Sequence, residues 1–263
     1  MKKISTHVLK AMKDNNDKFA VVTTYDYAFS KIVSNANIEV SLVGDSLGNV
    51  FQGRSTTIPV TIEEMAYHMN AVNRGNENSL LVCDMPFMSY STVKDALQNA
   101  AILMQAGAQM IKVEGGEWLA ESVYKLSQRG IPVCGHVGLT PQSVNKLGGN
   151  KVQGKDKSDA EKMVKDALIL QDAGADLLVV ECVPSRLGAD LTSALSIPVI
   201  GIGAGPDTDG QVLVSYDMLG LSDRLPKFAK NFLNETNSVQ EAITLFGNEV
   251  RNGLFPGSDN CFK

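Results

Sequence analysis

Eight short runs of apolar residues are spaced along this chain with a helical pattern between most successive pairs, and several are too continuous for a sheet with one wet face. Strands of that kind are buried on both sides, and parallel buried strands need crossover helices to cover them. The candidates are residues 19–24, 40–43, 80–84, 110–114, 133–136, 177–181, 199–203 and a weaker 216–219. The alternation predicts a (β/α)8 TIM barrel across residues 1–263 as one domain, with an N-terminal helix at 5–13 and extra C-terminal helices. A chain of 263 residues that is 44% hydrophobic can supply that single core. No Gly-x-Gly-x-x-Gly turn follows the first strand, which argues against a dinucleotide-binding sheet.

An internal echo supports the barrel. Ala106-Gly107-Ala108 precedes Glu114 and Ala173-Gly174-Ala175 precedes Glu181, while Ile131-Pro132-Val133 is matched by Ile197-Pro198-Val199, each pair about 67 residues apart. Local signals fill in the helices. Ser5 is placed to cap the first helix, whose Val8, Leu9 and Met12 share a face suited to plugging the barrel bottom. Thr61 and Glu64 have capping-box spacing at the head of a helix over 61–73, and Ser158 and Glu161 repeat that spacing. Gly107 and Gly174 sit where left-handed residues end helices. Residues 223–252 carry two helical patterns with Pro226 between them, and the polar stretch 147–158 is either a lid or a solvated insertion.

Three strands end in acids: Val40-Ser41-Leu42-Val43 leads to Gly44-Asp45-Ser46, Leu80-Leu81-Val82-Cys83 to Asp84, and Met110-Ile111-Lys112-Val113 to Glu114. A carboxylate at a buried strand tip is costly to keep dry unless a cation, a partner or a substrate meets it. In a barrel all of these tips face one mouth, joined by Lys112, His136 and Glu181. Each residue has a plain structural use alone, such as capping, loop bonding or pairing, but so much charge in one concavity points to a site. The three histidines, His7, His68 and His136, are too scattered for a zinc set, and oxygen donors suit a hard cation such as Mg²⁺. Asp45 and Asp84 are the expected ligands, with Glu114 a third ligand or an acceptor for metal-bound water. Such an ion would bind a 2-oxo acid and acidify the carbon beside its carbonyl. Lys112 and Ser46 are then placed for the substrate carboxylate, Glu181 for the base, and His136 to bond Glu181 or the substrate, or to fill the mouth. The Gly201–Gly205 turn suits either a phosphate or the close approach of a substrate or loop.

Other partners are disfavoured. Twenty-four basic residues against 29 acidic ones, with no basic run, do not suit nucleic acid or an anionic membrane. The first residues lack the apolar stretch of a secretory signal, no run approaches the ~20 residues of a membrane span, and four cysteines without a Cys-x-x-Cys pair suit the cytoplasm.

Together, residues 42–48, 84–87, 112–116, 135–142 and 201–206 resemble ketopantoate hydroxymethyltransferases, and the resemblance runs from about Thr23 to Lys230. Asn150, where the family commonly carries an aromatic residue, and Tyr216, where histidine is frequent, depart from its pattern. The resemblance implies transfer of a hydroxymethyl group from 5,10-methylenetetrahydrofolate to 3-methyl-2-oxobutanoate, giving 2-dehydropantoate in pantothenate biosynthesis. It also implies Mg²⁺, Glu181 as the base, and a homodecamer, for which the segment 226–233 offers a subunit contact. The competing readings are a metal-dependent lyase or mutase of the phosphoenolpyruvate-mutase and isocitrate-lyase type, a Schiff-base aldolase using Lys112, and a non-catalytic 2-oxo acid binder.

Overall fold

The computed structural model describes residues 3–263; Met1 and Lys2, where the leader argument begins, lie outside it. Eight parallel strands close into a barrel in sequence order: β1 (Phe19–Thr23), β2 (Val40–Val43), β3 (Leu80–Asp84), β4 (Met110–Glu114), β5 (Val133–Gly138), β6 (Leu177–Glu181), β7 (Val199–Ile202) and β8 (Gly210–Leu213). Alternation along each strand divides the core in two. Inward side chains such as Phe19, Val40, Leu80, Met110 and Leu177 fill the lower barrel, while outward ones such as Val43, Cys83, Ile111 and Leu178 pack under the helices.

The first helix, Thr6–Asp14, takes its cap from Ser5 and closes the barrel bottom, because Ile4 and Leu9 are buried among the inward residues and Val8 and Met12 lie against them. Lys13 fastens it there by an ion pair to Asp209, 2.8 Å away. The Thr61–Glu64 capping box forms at the head of Ile62–Gly75, and Gly107 and Gly174 follow their helices with φ of 113° and 105°.

Four local expectations are corrected. The eighth strand is not 216–219, since Ser215–Met218 forms a helical turn and β8 lies at Gly210–Leu213. That strand begins with a glycine and holds a buried glutamine, so it lacks an apolar signature. Gly210 is required because a Cβ there would sit 2.5 Å from the Phe19 ring, and Gln211 is satisfied by the Gly205 carbonyl and Thr208. Ser158 and Glu161 form no capping box, because the cap of the helix Lys157–Asp172 is Asp156, two residues before Ser158. Of the two helical patterns over 223–252, only the second forms, as Val239–Arg251 capped by Ser238; the first is reduced to a 3-10 turn at Phe232–Glu235. Finally, the segment 226–233 cannot offer Phe232 to a neighbouring subunit, because Phe232 is fully buried against Phe246 and Phe255.

Candidate active site

All seven residues singled out at the strand tips, Asp45, Ser46, Asp84, Lys112, Glu114, His136 and Glu181, line one cavity of about 590 Å³ at the C-terminal mouth of the barrel. Strand register explains the convergence. Asp84 lies beside Lys112 across β3 and β4, and Glu114 lies beside His136 across β4 and β5. In parallel strands such neighbours point the same way, so sequence alternation and register together turn all four inward. Lys112 and Glu114, two apart on β4, share that face, while Val113 between them packs outward.

The Lys112 ammonium, whose side chain is 5% exposed, is 2.7 Å from Asp84 Oδ1 and 3.7 Å from Glu114 Oε1. Burial alone would lower its pKa, but the carboxylates of Asp84, Glu114 and Asp45 outweigh that and raise it above the ordinary lysine value. His136 bridges two acids, with Nδ1 3.4 Å from Glu114 and Nε2 3.4 Å from Glu181. Burial and the Lys112 charge favour neutral imidazole, yet the two carboxylates prevail and lift His136 to about 9. Both contacts lie off the hydrogen-bonding direction, so neither ring nitrogen has an aligned partner. Glu181 is the most accessible acid of the group, 15% exposed.

Two glycines make the geometry possible. A Cβ on Gly44 would press 2.8 Å from Ser46 Oγ, and one on Gly138 would fall 2.3 Å from the Glu181 carbonyl oxygen. Gly138, with φ of 94°, therefore lets the tip of β5 lie directly on the residue proposed as base. Cys182 follows Glu181 in the left-handed region, φ 49°, and turns the chain away after the acid.

Asp45 and Asp84 stand side by side, since the Asp45 amide donates to Asp84 Oδ2 at 3.1 Å. Burial, then the charges of Asp84 and Glu114, push the Asp45 carboxyl well above the usual range. Asp84 Oδ1 is buried and, despite the nearby ammonium, accepts no aligned hydrogen bond. Two crowded, dry carboxylates with an oxygen to spare fit a hard divalent cation, which commonly takes only one or two protein carboxylates. The described residues do not bring Asp45, Asp84 and Glu114 together as a three-acid cage. Glu114 is engaged elsewhere, its Oε1 facing His136 and Lys112 and its Oε2 accepting from the Gln142 amide at 3.1 Å.

Sequence reasoning passed over three polar residues of the site. Gln142 donates from Nε2 to Asp45 Oδ2 and to the Met85 carbonyl, both at 2.9 Å, and its Oε1 accepts from the Tyr90 hydroxyl. Tyr25 shares a 2.9 Å hydrogen bond with Ser46 Oγ. Gln142 closes the run 135–142 beyond the tip of β5, and that position was its one visible signal; Tyr25 and Tyr90 gave none. Tyr216 also lines the mouth, tilted against Tyr25 with ring centroids 5.9 Å apart. The Gly201–Gly205 turn serves close packing, with Gly203 under Phe228 and Phe262 and Gly205 against Ser185.

A closed parallel barrel with a charged pocket at its strand tips defines the class: a (β/α)8 barrel whose site is built from several strand ends. Comparison with solved structures agrees, at a level that shows the fold alone. A phosphoenolpyruvate phosphomutase from Streptomyces platensis subsp. rosaceus superposes with a TM-score of 0.62 at 10% identity, over 82% of this chain and 83% of that one. A phosphonopyruvate hydrolase in complex with oxalate and Mg++ gives 0.62 at 13% identity, over 97% and 98%.

Within that class the family model for ketopantoate hydroxymethyltransferase matches residues 3–258, and the chain belongs to that family. It is 54% identical over 264 aligned positions to 3-methyl-2-oxobutanoate hydroxymethyltransferase 1 of Aliivibrio fischeri, covering all of both chains. The 3-methyl-2-oxobutanoate hydroxymethyltransferase of Colwellia psychrerythraea is 53% identical over the same full length.

Proposed function

We propose that this chain transfers a hydroxymethyl group from 5,10-methylenetetrahydrofolate to 3-methyl-2-oxobutanoate, giving 2-dehydropantoate. Family membership across residues 3–258 supports the reaction. The observation that carries the residue roles is that Glu181, at the end of β6, shares the cavity with Asp45, which follows β2 four strands away round the closed barrel. Asp45 and Asp84 would hold Mg²⁺, which when bound draws electrons from the keto acid's carbonyl and makes its C3 proton acidic. The barrel of similar fold that binds oxalate with Mg++ is consistent with this, as oxalate presents two adjacent oxygens like a 2-oxo acid.

The chain's own residues then divide the work. Glu181 takes the C3 proton on a carboxylate oxygen, and His136 Nε2, on the β5 strand next to β6, stands 3.4 Å from that carboxylate. Lys112 balances the charge of Asp84 and Glu114 from below and offers its remaining field to the substrate carboxylate. Ser46, held by Tyr25, donates a hydrogen bond to the same end of the substrate. Gln142 fixes Asp45 through one oxygen and leaves the other free.

A Schiff-base mechanism is disfavoured by geometry, because an amine locked as an ammonium 2.7 Å from a buried carboxylate is a poor nucleophile. A 2-oxo acid binder without catalysis leaves the unligated Glu181 unexplained. Four unpaired cysteines suit a reducing cytoplasm. No helix among the described residues is long and apolar enough to cross a membrane. The exposed aromatic residues Tyr27, Phe51 and Tyr67 suit subunit contacts in a homo-oligomer, here read as a decamer.

The test is Glu181→Gln. It is expected to keep keto acid and metal binding while the C3 proton exchange rate falls about 10²- to 10⁴-fold. Exchange at the parent rate removes Glu181 from the base role.

A further inference from the structure

The loop that leaves β3 folds back on itself between Asp84 and Tyr90. Ser89 donates its amide to the Pro86 carbonyl at 3.0 Å, Met88 takes a left-handed φ of 61°, and the Asn99 side chain donates to the Ser89 carbonyl at 2.6 Å. The turn returns Tyr90 to the strand tips, where it is buried although it does not line the cavity.

There its hydroxyl joins two strand ends. β3 stops at Asp84, and the Glu114 amide donates to the Tyr90 oxygen at 3.3 Å, while Gln142 Oε1 accepts from the hydroxyl at 2.5 Å. The Glu114 carbonyl also stands at 3.3 Å, but a hydroxyl has one proton and the shorter contact takes it. On its outer side the ring stacks on Trp118, with centroids 6.1 Å apart and planes 11° from parallel. Gly115 leaves room for that indole, since a Cβ there would fall 2.6 Å from its Nε1.

A glutamine side chain can present either end of its amide. The two groups that meet Gln142 Nε2, Asp45 Oδ2 and the Met85 carbonyl, both act as acceptors at 2.9 Å. Turned over, the amide would set its oxygen against those two oxygens. The Tyr90 hydroxyl selects against that state, because it already accepts from Glu114 and has a proton to give.

We propose that Tyr90 is a positioning residue for the cation site: its hydroxyl fixes the Gln142 amide, and through that amide the direction in which Asp45 offers its free oxygen. The inference rests on the reading of Asp45 as a metal ligand and adds to it a residue that touches neither metal nor substrate. Without the hydroxyl, Gln142 Oε1 is a buried acceptor with no donor, and the amide turns in search of one.

The experiment titrates Mn²⁺, a paramagnetic substitute for Mg²⁺, into the full chain and follows the free ion by electron paramagnetic resonance. It compares the parent, Tyr90→Phe, Gln142→Leu and the double variant. Phenylalanine keeps the ring, and emission from Trp118, the one tryptophan of the chain, checks in each sample that the stack survives. Tyr90→Phe is expected to raise the Mn²⁺ dissociation constant about tenfold, the equivalent of one hydrogen bond. The double variant is expected to bind within twofold of Gln142→Leu alone, because both changes remove the same link. A tyrosine that merely supports the fold would instead weaken the double variant by the product of two separate losses. Should Tyr90→Phe alone disturb the stack, the comparison within the Gln142→Leu background still decides, since there the hydroxyl has no amide to serve. A Tyr90→Phe dissociation constant within twofold of the parent, or losses that multiply in the double variant, overturns the proposal. A parent protein with no affinity for Mn²⁺ refutes the metal reading itself, and the inference falls with it.

Discussion

Replacing Gln142 with leucine keeps the size of the side chain and removes the side-chain amide that bonds Asp45. Asp45 Oδ2 loses its 2.9 Å donor, and the Tyr90 hydroxyl loses its acceptor, 2.5 Å away. The backbone bond from residue 142 to Glu114 survives the change. A hydrogen bond to a charged group contributes about 1.5 to 3 kcal/mol, and a buried carboxylate left unpaired holds its proton more tightly. Asp45 is already pushed toward its protonated form by burial and by Asp84, so it has little margin. About 2 kcal/mol lost from the reacting state corresponds to a roughly 30-fold fall in kcat/KM. The assay follows both hydroxymethyl transfer and C3 proton exchange, with the thermal midpoint recorded alongside. Gln142→Asn, whose amide is withdrawn by about 1.5 Å, is expected to lose activity to a similar degree. A leucine variant with kcat/KM within threefold of the parent would refute the role given to this amide.

Gly138→Ala places a methyl where the Glu181 carbonyl oxygen already stands and asks alanine to adopt φ of 94°. A loss of about 2 kcal/mol or more in stability and a marked fall in exchange are expected, and parent-like exchange would show that Glu181 does not depend on this contact. Thr61→Ala removes one half of a formed capping box far from the chemistry, so the thermal midpoint should fall by roughly 2–4 °C for about 1 kcal/mol while transfer persists. Borohydride added with the keto acid should leave no adduct on Lys112 by mass spectrometry, because its ammonium is held charged by Asp84 and Glu114. Exhaustive chelation should abolish exchange and Mg²⁺ should restore it, whereas undiminished exchange after stripping would remove the metal from the account.

The barrel was legible where burial alone dictates residue type. The β3 and β6 strands open as unbroken apolar runs, and β2 and β4 are broken only by the buried Ser41 and Lys112, because both faces of these strands are covered. The acids at their tips stood out for the same reason, as charges where nothing polar was expected. The β8 strand was missed because its place in the barrel depends on Phe19 lying against Gly210 and on Gln211 finding two partners, contacts between residues distant in sequence. Phe232 was misplaced because a phenylalanine in a loop reads alike whether it faces a core or a neighbour, until Phe246 and Phe255 are seen around it.

The sequence by itself determined the alternation of buried strands and covering helices, and with it the barrel and the end at which its charges gather, since both follow from hydrophobic period and chain order. Tertiary structure alone decided which oxygen faces which cation. Lys112 reaches Asp84, Glu114 turns to His136 and Gln142, and the tail carrying Phe262 folds back beside the mouth, because these pairings are fixed by strand register and close packing across the barrel. Those distances have no image along the chain.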